Sequence, residues 1–284
     1  MNIYEETKFL MKKYNISANK DLGQNFLIDD NVIENIVEAA EINEKDFVIE
    51  IGPGLGTLTS KLVEKAGKVI AIELDKKMLK ILNDRFALYN NFSLINEDVL
   101  KVDLNNLIQQ ENTQNYTVKI VANLPYYITT PIVMKLLEEK LNIDSITVMV
   151  QKEVADRLTE TPGGKNTGAI TYCVYYYAKP QEVLTVPNTS FVPEPKVNSE
   201  VIKLNIRKEP PVALKDEKLF FKVVKASFMQ RRKTLLNGLA NSGIASKEKL
   251  KEILQELNLS ENIRGESLNI EQFAEISNKL SKIN

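Results

Sequence analysis

The chain has 284 residues, which at roughly 100–200 residues per domain predicts one large domain or two unequal ones. Its apolar fraction of 43% and charged fraction of 26% are typical of a folded globular protein, and they exclude a disordered or collagen-like chain. No apolar run approaches the length of a membrane span, and the charged N-terminal segment lacks an apolar signal core. We therefore expect a cytoplasmic protein with no membrane partner.

Two scarce residue types limit the kinds of catalytic and metal site that the chain can form. The sequence has no histidine, which excludes a histidine general base, a catalytic triad with histidine and a histidine-ligated metal. It has one cysteine, Cys173, which excludes an internal disulfide and a cysteine-rich zinc site. We expect no metal, and we interpret Cys173, in the apolar run AITYCVYYY, as a buried structural thiol.

The net charge of −1 hides an asymmetry along the chain. Residues 206–284 carry a net charge of +5, whereas residues 1–205 carry −6. A basic C-terminal portion beside an acidic N-terminal one indicates an anionic partner for the former. A solvated helical surface would give the same numbers, so the charge alone leaves both interpretations open.

The first half of the chain alternates between strand and helix patterns. Short apolar runs rich in β-branched residues predict strands, and apolar residues at helical spacing predict helices between them. The predicted strands cover residues 46–51, 68–74, 92–96, 118–122 and 145–150, and the predicted helices cover residues 32–40, 58–66, 76–87 and 131–138. This order predicts an α/β fold with a parallel sheet covered on both faces.

The pattern changes from residue 169 onward. The runs AITYCVYYYA, EVLTV and NSEVIKLNI are predicted to be further strands. The prolines of KEPP at 208–211 predict a linker, after which all patterns are helical, at 217–228, 233–240, 247–257 and 270–280. We therefore place a domain boundary after residue 207, with a small all-helical domain over residues 208–284.

Three of the eleven glycines fall within five residues, in the segment EIGPGLG. Gly52, Gly54 and Gly56 follow a predicted strand and open a predicted helix, which is the context of a ligand-binding loop. An ordinary tight turn is the alternative. The spacing differs from the dinucleotide fingerprint, and the lysine of a phosphate-binding P-loop is missing. The segment resembles instead the first motif of the S-adenosylmethionine-dependent methyltransferases.

Two acidic residues follow at the ends of the next predicted strands. Glu73 lies about twenty residues beyond the glycines, where a carboxylate can accept protons from both ribose hydroxyls. Asp98 follows the third strand and is placed to meet an adenine edge. Each acid alone would be interpreted as a solvated charge at a strand end, but the ordered set favours a nucleoside-containing cofactor.

The tetrapeptide Asn123-Leu124-Pro125-Tyr126 follows the fourth predicted strand, at the edge where open α/β sheets bind ligands. The Asn123 side-chain oxygen and the Leu124 carbonyl can accept the two hydrogens of an adenine N6 amine and stabilise positive charge developing there. Pro125 would fix the turn, and Tyr126 would stack on an unstacked base. The alternative is a proline turn with a core tyrosine.

A second aromatic candidate lies in the segment SFVPEP. Phe191 is placed to cover the opposite face of the base, because the flanking prolines would stiffen its loop. A phenylalanine that simply fills the core is an equally good interpretation of this segment.

Several segments together resemble the family of small-subunit rRNA adenine dimethyltransferases. The resemblance runs from about residue 20 to the C-terminus. In chain order, it rests on LGQNFL (22–27) with Asp29, EIGPGLG (50–56), NLPY (123–126), QKEVADRL (151–158), FVPEPKVNS (191–199) and FMQRRKTLLN (228–237).

The resemblance implies a Rossmann-like methyltransferase domain over residues 1–207 and a helical RNA-binding domain over residues 208–284. It implies that such an enzyme, acting as a monomer, dimethylates N6 of two adjacent adenosines near the 3′ end of 16S rRNA in a pre-assembled small subunit and takes part in subunit assembly. The cofactor would be S-adenosyl-L-methionine. The family's cofactor contacts fall on Asn25, Leu27, Gly52, Glu73, Asp98 and Asn123.

The same resemblance places RNA contacts at Arg231, Arg232 and Lys233. Three consecutive cations at the start of a predicted helix oppose the helix dipole, which favours an anionic partner over a solvated cap. The sequence departs from the family at Leu236, where members often have arginine, so one phosphate contact is in doubt.

Two alternative functions remain open from the sequence. A large-subunit rRNA adenine methyltransferase of the antibiotic-resistance type would share the cofactor loop and a similar tetrapeptide. A ribosome-assembly factor whose methylation is incidental would share every motif. DNA adenine methylation is disfavoured, because such enzymes usually carry an extra target-recognition segment and little in this sequence looks like one.

Overall fold

The computed structural model describes residues 2–19, 21–230 and 232–282. The chain divides into two compact units. The first comprises the residues through Ala155 together with Pro180–Ile206, and the second comprises Asp156–Lys179 together with the residues from Arg207 onward. No helix within the described ranges is long and apolar enough to cross a membrane.

The strands of the described residues are β1 (Phe26–Leu27), β2 (Asp46–Ile51), β3 (Lys68–Glu73), β4 (Phe92–Asn96), β5 (Thr117–Asn123), β6 (Ser145–Gln151), β7 (Ala178–Val186), β8 (Phe191–Val192) and β9 (Ser199–Ile206). The α-helices of the same residues are α1 (Ile3–Lys13), α2 (Asp30–Ala39), α3 (Thr57–Lys65), α4 (Lys76–Phe86), α5 (Leu104–Glu111), α6 (Thr129–Glu138), α7 (Lys152–Thr159), α8 (Ala169–Tyr177), α9 (Glu217–Met229), α10 (Leu235–Asn241), α11 (Lys247–Glu256) and α12 (Ile270–Leu280).

A seven-stranded sheet with the order β4-β3-β2-β5-β6-β9-β7 forms the centre of the fold. The five strands from β4 to β6 are parallel, and β9 pairs antiparallel with β6. Every residue of β2 is buried, which means that both faces of the sheet are covered at its middle. The predicted α/β architecture is confirmed.

The register aligns the carboxyl ends of the parallel strands. Ile51 lies opposite Ile72 of β3 and Ala122 of β5, and Glu73 lies opposite Asn96 of β4. Four strand ends and the turns that follow them therefore meet at one edge, where open α/β sheets bind ligands. A separate two-stranded sheet pairs Leu27 of β1 with Phe191 of β8.

One predicted strand is wrong. The run AITYCVYYY forms helix α8, because Tyr172 and Tyr176 lie four residues apart and pack from one helix face into the core of the second unit. The Tyr172 ring lies 4.8 Å from that of Phe273, and the Tyr176 ring 5.9 Å from that of Phe220, between ring centroids. Cys173 is buried, as expected.

The division into units follows a different line from the boundary predicted after residue 207. Residues 156–179 belong to the second unit, since α8 shares its core with α9 and α12. The Tyr177 hydroxyl also donates a 2.7 Å hydrogen bond to Glu217 of α9, and Arg207 donates to the carbonyl of Tyr175 at 3.0 Å. The packing of α8 against α9 and α12, rather than the proline linker, therefore sets the boundary between the two units.

Candidate functional site

The glycine turn joins β2 to α3 as the sequence predicts. Gly52 has φ +68° and Gly54 has φ +57°, a region that favours glycine. A Cβ atom added to Gly52 would meet no heavy atom within 4 Å, which means that this position faces open space. That space is a cleft of the first unit, and Gly52, Pro53 and Gly54 line it.

Gly56 does not line the cleft, although the glycine motif predicts that it belongs to the ligand-binding loop. It has φ +80° and precedes the first residue of α3. An added Cβ atom would lie 2.7 Å from the Phe86 ring and 3.0 Å from Leu82. Glycine is therefore required at this position because α4 packs closely behind the turn.

Glu73, the last residue of β3, is held by two backbone N–H groups. Gly54 donates to its Oε2 at 3.1 Å, and Asp75 donates to its Oε1 at 2.7 Å. The side chain is 5% exposed, and burial raises the pKa of its carboxyl above the ordinary value. A carboxylate has about four lone-pair sites, so this one keeps acceptor capacity for hydroxyl donors.

Gln24 ties the segment before β1 to the same strand end. Its Nε2 donates to Asp75 Oδ2 at 2.9 Å, and its Oε1 accepts from the backbone N–H of Asn19 at 2.8 Å. Gln24 belongs to the LGQNFL motif, but the sequence alone predicts no role for it. The structure places residues 22–27 along the cleft, with Gln24 as a link to the Glu73 network.

Glu50 is the second buried carboxyl group of the cleft. It is 1% exposed, and the Thr59 hydroxyl donates to its Oε2 at 2.6 Å. Burial, with the nearby Glu73 as a smaller contribution, raises the pKa of the Glu50 carboxyl to about 8. Glu50 begins the EIGPGLG motif, but the sequence alone predicts no role for it.

Asp98 follows β4 and also lines the cleft. Its Oδ1 accepts from the backbone N–H of Leu100 at 3.0 Å, which fixes the turn after the strand. The side chain of Asn96 joins this turn to β3 by donating to the Glu73 carbonyl at 2.7 Å. The two predicted acidic positions are therefore linked, and both belong to the same cleft.

The tetrapeptide at the end of β5 forms a tight turn on the cleft. Leu124 donates its N–H to the Met149 carbonyl at 3.1 Å, and the Pro125 carbonyl accepts from Ile128 N–H at 3.2 Å and from the Thr129 hydroxyl at 3.0 Å. The Asn123 Nδ2 group lies 3.5 Å from the Asn25 carbonyl, a long hydrogen bond. With Nδ2 engaged there, the Asn123 Oδ1 atom remains as an acceptor.

Aromatic side chains complete this end of the cleft. Tyr126 is half-buried, its hydroxyl lies 2.7 Å from the Ser199 hydroxyl oxygen, and burial raises the pKa of its phenol. Phe191 is 2% exposed and also lines the cleft. Tyr127, which the sequence analysis did not name, lines it too and is 56% exposed. Its position directly after the NLPY motif is the sequence signal that could have found it.

The cleft brings together every catalytic and cofactor residue that the sequence analysis named, except Gly56. These are Asn25, Leu27, Gly52, Gly54, Glu73, Asp98, Asn123, Leu124, Pro125, Tyr126 and Phe191. Four carboxyl groups line it, those of Glu50, Glu73, Glu97 and Asp98, and none of its described lining residues is lysine or arginine.

The residues expected to contact RNA belong to the second unit and lie further along the chain than the residues that line the cleft. Arg231 lies outside the described residues, whereas Arg232 and Lys233 are exposed just before α10. Helix α10 begins at Leu235, and Thr234 caps it by accepting from the Asn237 N–H at 3.3 Å. Leu236, where the family often has arginine, is 6% exposed in the core of the helical unit.

Solved structures include close matches to this fold. A dimethyladenosine transferase from Plasmodium falciparum superposes with a TM-score of 0.73 at 26% identity, covering 88% of this chain and 95% of that one. The 23S rRNA methyltransferase ErmE superposes with a TM-score of 0.68 at 24% identity, covering 90% of this chain and 100% of that one, a likeness of fold alone.

Sequence relatives extend over nearly the whole chain. Proteins named ribosomal RNA small subunit methyltransferase A are 48% identical over 279 residues in Alkaliphilus oremlandii and 50% identical over 277 residues in Bacillus cytotoxicus. The alignments cover 98% and 96% of this chain and 97% and 95% of those proteins. The sequence pattern of the ribosomal RNA adenine dimethylase family matches residues 15–282. The resemblance drawn from the motifs is therefore confirmed, and the chain belongs to the ribosomal RNA adenine dimethylase family.

Proposed function

We propose that this enzyme dimethylates N6 of two adjacent adenosines near the 3′ end of 16S rRNA, with S-adenosyl-L-methionine as the methyl donor. Its membership of the rRNA adenine dimethylase family and its relatives named small subunit methyltransferase A support the reaction class and the rRNA substrate. We further propose that it acts as a cytoplasmic monomer on a pre-assembled small subunit and contributes to subunit assembly.

The charge of the cleft supports this cofactor. The carboxyl groups of Glu73, Glu97 and Asp98, with no cation among the described lining residues, suit a ligand that carries a positive sulfonium and no phosphate. A phosphorylated nucleotide would instead meet repulsion in such a cleft. The position of Gly52, where a Cβ would project into open space, leaves the glycine turn accessible to the methionine part.

Each end of the cofactor has candidate partners. The Glu73 carboxylate would accept the ribose hydroxyl protons, and Asp98 would meet the adenine edge. Gly52 and Gly54 would contact the methionine part through their backbone, while Asn25 and Leu27 are assigned by the family resemblance. When bound, the cofactor supplies a methyl group already activated on a sulfonium.

The residues at the end of β5 would prepare the substrate nitrogen. The Asn123 Oδ1 atom and the Leu124 carbonyl accept the two N6 hydrogens, which favours a pyramidal nitrogen and stabilises the positive charge that grows on it. Pro125 holds this turn, since its own carbonyl is engaged by Ile128 and Thr129. Tyr126 and Phe191 would cover the two faces of the unstacked base.

This arrangement needs no histidine base. Methyl transfer to nitrogen depends on holding the nucleophile in line with the activated carbon, and positioning supplies most of the acceleration. The single observation that carries the proposal is that the glycine turn, Glu73, Asp98 and the tetrapeptide of residues 123–126 line one cleft.

The experiment that tests the function uses undermethylated small subunits and a methyl-labelled donor. Mapping the labelled nucleotides should show two adjacent dimethylated adenosines near the 3′ end of the small-subunit rRNA. Label in large-subunit rRNA would support the alternative of an antibiotic-resistance type enzyme. The relatives at 48–50% identity favour the small subunit, whereas the likeness to ErmE concerns the fold alone.

The alternative of an assembly factor with incidental methylation needs a separate test. A variant with Asn123→Ala should bind the particle while failing to methylate it. If cells that carry this variant assemble small subunits at the wild-type rate, methylation is incidental to the assembly role. If assembly slows in proportion to lost methylation, the enzymatic role is the primary one.

A further inference from the structure

Helix α9 carries three exposed lysines on one face. Lys218, Lys222 and Lys225 are spaced by four and three residues, which aligns them along one side of a helix over about 10 Å. The other side of the helix is buried in the core of the second unit, through Phe220, Val223, Val224, Ala226 and Ser227. We call the three lysines the α9 stripe.

The stripe lysines form no ion pair with a carboxylate within the described residues. None of the three lysines takes part in an ion pair there, where N–O distances up to 4.0 Å are counted. The acid of the same helix, Glu217, is engaged elsewhere, since it accepts hydrogen bonds from the hydroxyls of Tyr176 at 3.3 Å and Tyr177 at 2.7 Å.

Helix α11 of the same unit shows the opposite arrangement. Its Lys249 pairs with Glu252 at 2.6 Å, and its Lys251 pairs with Glu261 at 2.9 Å. Its Glu256 pairs with Lys279 of α12 at 2.6 Å. A lysine-rich helix in this unit can thus neutralise its charges internally, and α9 does not.

The uncompensated stripe has an energetic cost in the free protein. Like charges four residues apart on a helix destabilise it, and Lys218 lies in the first turn, near the positive end of the helix dipole. An anionic partner would remove both penalties. Beyond the stripe, Met229 is 71% exposed at the end of α9, and the exposed cations Arg232 and Lys233 follow.

We propose that the α9 stripe binds the sugar-phosphate backbone of the rRNA substrate, one phosphate to each lysine. This inference rests on the proposed function and extends the RNA contacts of the second unit beyond residues 231–233. Lysine acts as a point charge toward phosphate, so the stripe would add affinity and salt dependence without reading the base sequence.

The test compares two triple variants that lose the same charge. The stripe variant carries Lys218→Gln, Lys222→Gln and Lys225→Gln. The control carries the same change at the three lysines of α11, Lys247, Lys249 and Lys251. Binding to undermethylated small subunits is measured from low to high salt, and thermal unfolding checks that each variant is folded.

The stripe variant should bind at least about tenfold more weakly at low salt and should lower the slope of log Kd against log salt by about two to three. The control should keep the wild-type slope. A third variant, with arginine at the three stripe positions, keeps the charge and should also keep the wild-type slope, which separates lost charge from lost folding.

An unchanged slope in the stripe variant overturns the inference, as does an equal loss in the α11 control. In either case the wild-type protein would still methylate the expected adenosines, which keeps the proposed function intact. If the wild-type protein neither binds nor methylates the particle, the proposed function fails, and the inference fails with it.

Discussion

The two ends of the cleft differ in how far the protein itself satisfies their polar groups. At the end of β3, Glu73 accepts backbone hydrogen bonds from Gly54 and Asp75, and Gln24 holds Asp75 in turn. At the end of β5, Asn123 makes a long contact of 3.5 Å, and Tyr126 is anchored at its hydroxyl.

This difference indicates two kinds of subsite. The Glu73 end is preorganised, because its hydrogen bonds are in place before any ligand arrives, and such sites bind with little ordering cost. The Asn123 end keeps acceptor capacity for the substrate amine, which makes it suited to act in the transition state. Substitutions at the two ends should therefore change different kinetic quantities.

The largest effect is expected from Asn123→Ala, because the variant removes one of two acceptors for the developing charge. We expect kcat to fall by about 10²- to 10³-fold, with cofactor affinity within about twofold of wild type. Steady-state methylation and calorimetric titration of the cofactor measure the two quantities. Asn35→Ala on the exposed face of α2 is the matched control. A kcat within about threefold of wild type would contradict the role of Asn123.

The next largest effect is expected from Tyr126→Ala. Loss of stacking on the base should lower kcat/KM for the particle by about 10- to 100-fold without weakening the cofactor. The conservative variant Tyr126→Phe keeps the ring and loses the hydrogen bond to Ser199, so it should lose no more than about fivefold. If both variants are equally impaired, the hydroxyl rather than the ring face is the functional group.

A smaller effect is expected from Gln24→Ala, which acts on the preorganised end. Loss of its 2.9 Å hydrogen bond to the Asp75 carboxylate should loosen residues 22–27 and weaken cofactor binding by about tenfold. At saturating cofactor the methylation rate should recover. The control is Gln109→Ala on the exposed surface of α5. A rate that stays low at saturating cofactor would show that Gln24 acts at the base instead.

The smallest effect concerns the pH dependence of stability, which arises from the ionisation of Glu50. Its pKa of about 8 in the folded protein exceeds the ordinary 4.5, so the folded state holds the proton more tightly than the unfolded state. The free energy of unfolding should therefore decrease as the pH rises from about 4.5 to about 8.

The isosteric variant Glu50→Gln cannot ionise and should lose that part of the pH dependence. We expect its unfolding temperature to exceed that of the wild type by about 3 °C or more at pH 8.5, with the difference shrinking toward pH 5. The control is Glu64→Gln on the exposed face of α3. If the unfolding temperatures of Glu50→Gln and wild type changed in parallel with pH, this would contradict the raised pKa of the Glu50 carboxyl.

Much of the fold could be predicted because its strands are local apolar runs. The bounds of β2 and β4 agree with the predicted 46–51 and 92–96. Helix α8 could not be predicted, because its β-branched and aromatic composition favours a strand, and its tyrosines become helical through packing against residues far along the chain. The second unit acquires residues 156–179 for the same reason.

The site shows a similar limit. Glu73, Asp98 and Asn123 could be predicted because each follows a strand at the common edge of the sheet. The link from Gln24 to Asp75 spans 51 residues and leaves no local pattern. Gly56 belongs to the glycine motif, but its contact with Phe86 of α4 is also distant in sequence, which explains why the motif alone assigned it to the cofactor.

The most direct test of the two-subsite account is single-turnover methyl transfer in Glu73→Ala and Asn123→Ala as the cofactor concentration is raised to saturation. We expect Glu73→Ala to need at least about tenfold more cofactor but then to approach the wild-type rate. We expect Asn123→Ala to saturate at the wild-type cofactor concentration and to stay slow. Recovery of both variants at saturating cofactor, or of neither, would contradict the division into two subsites.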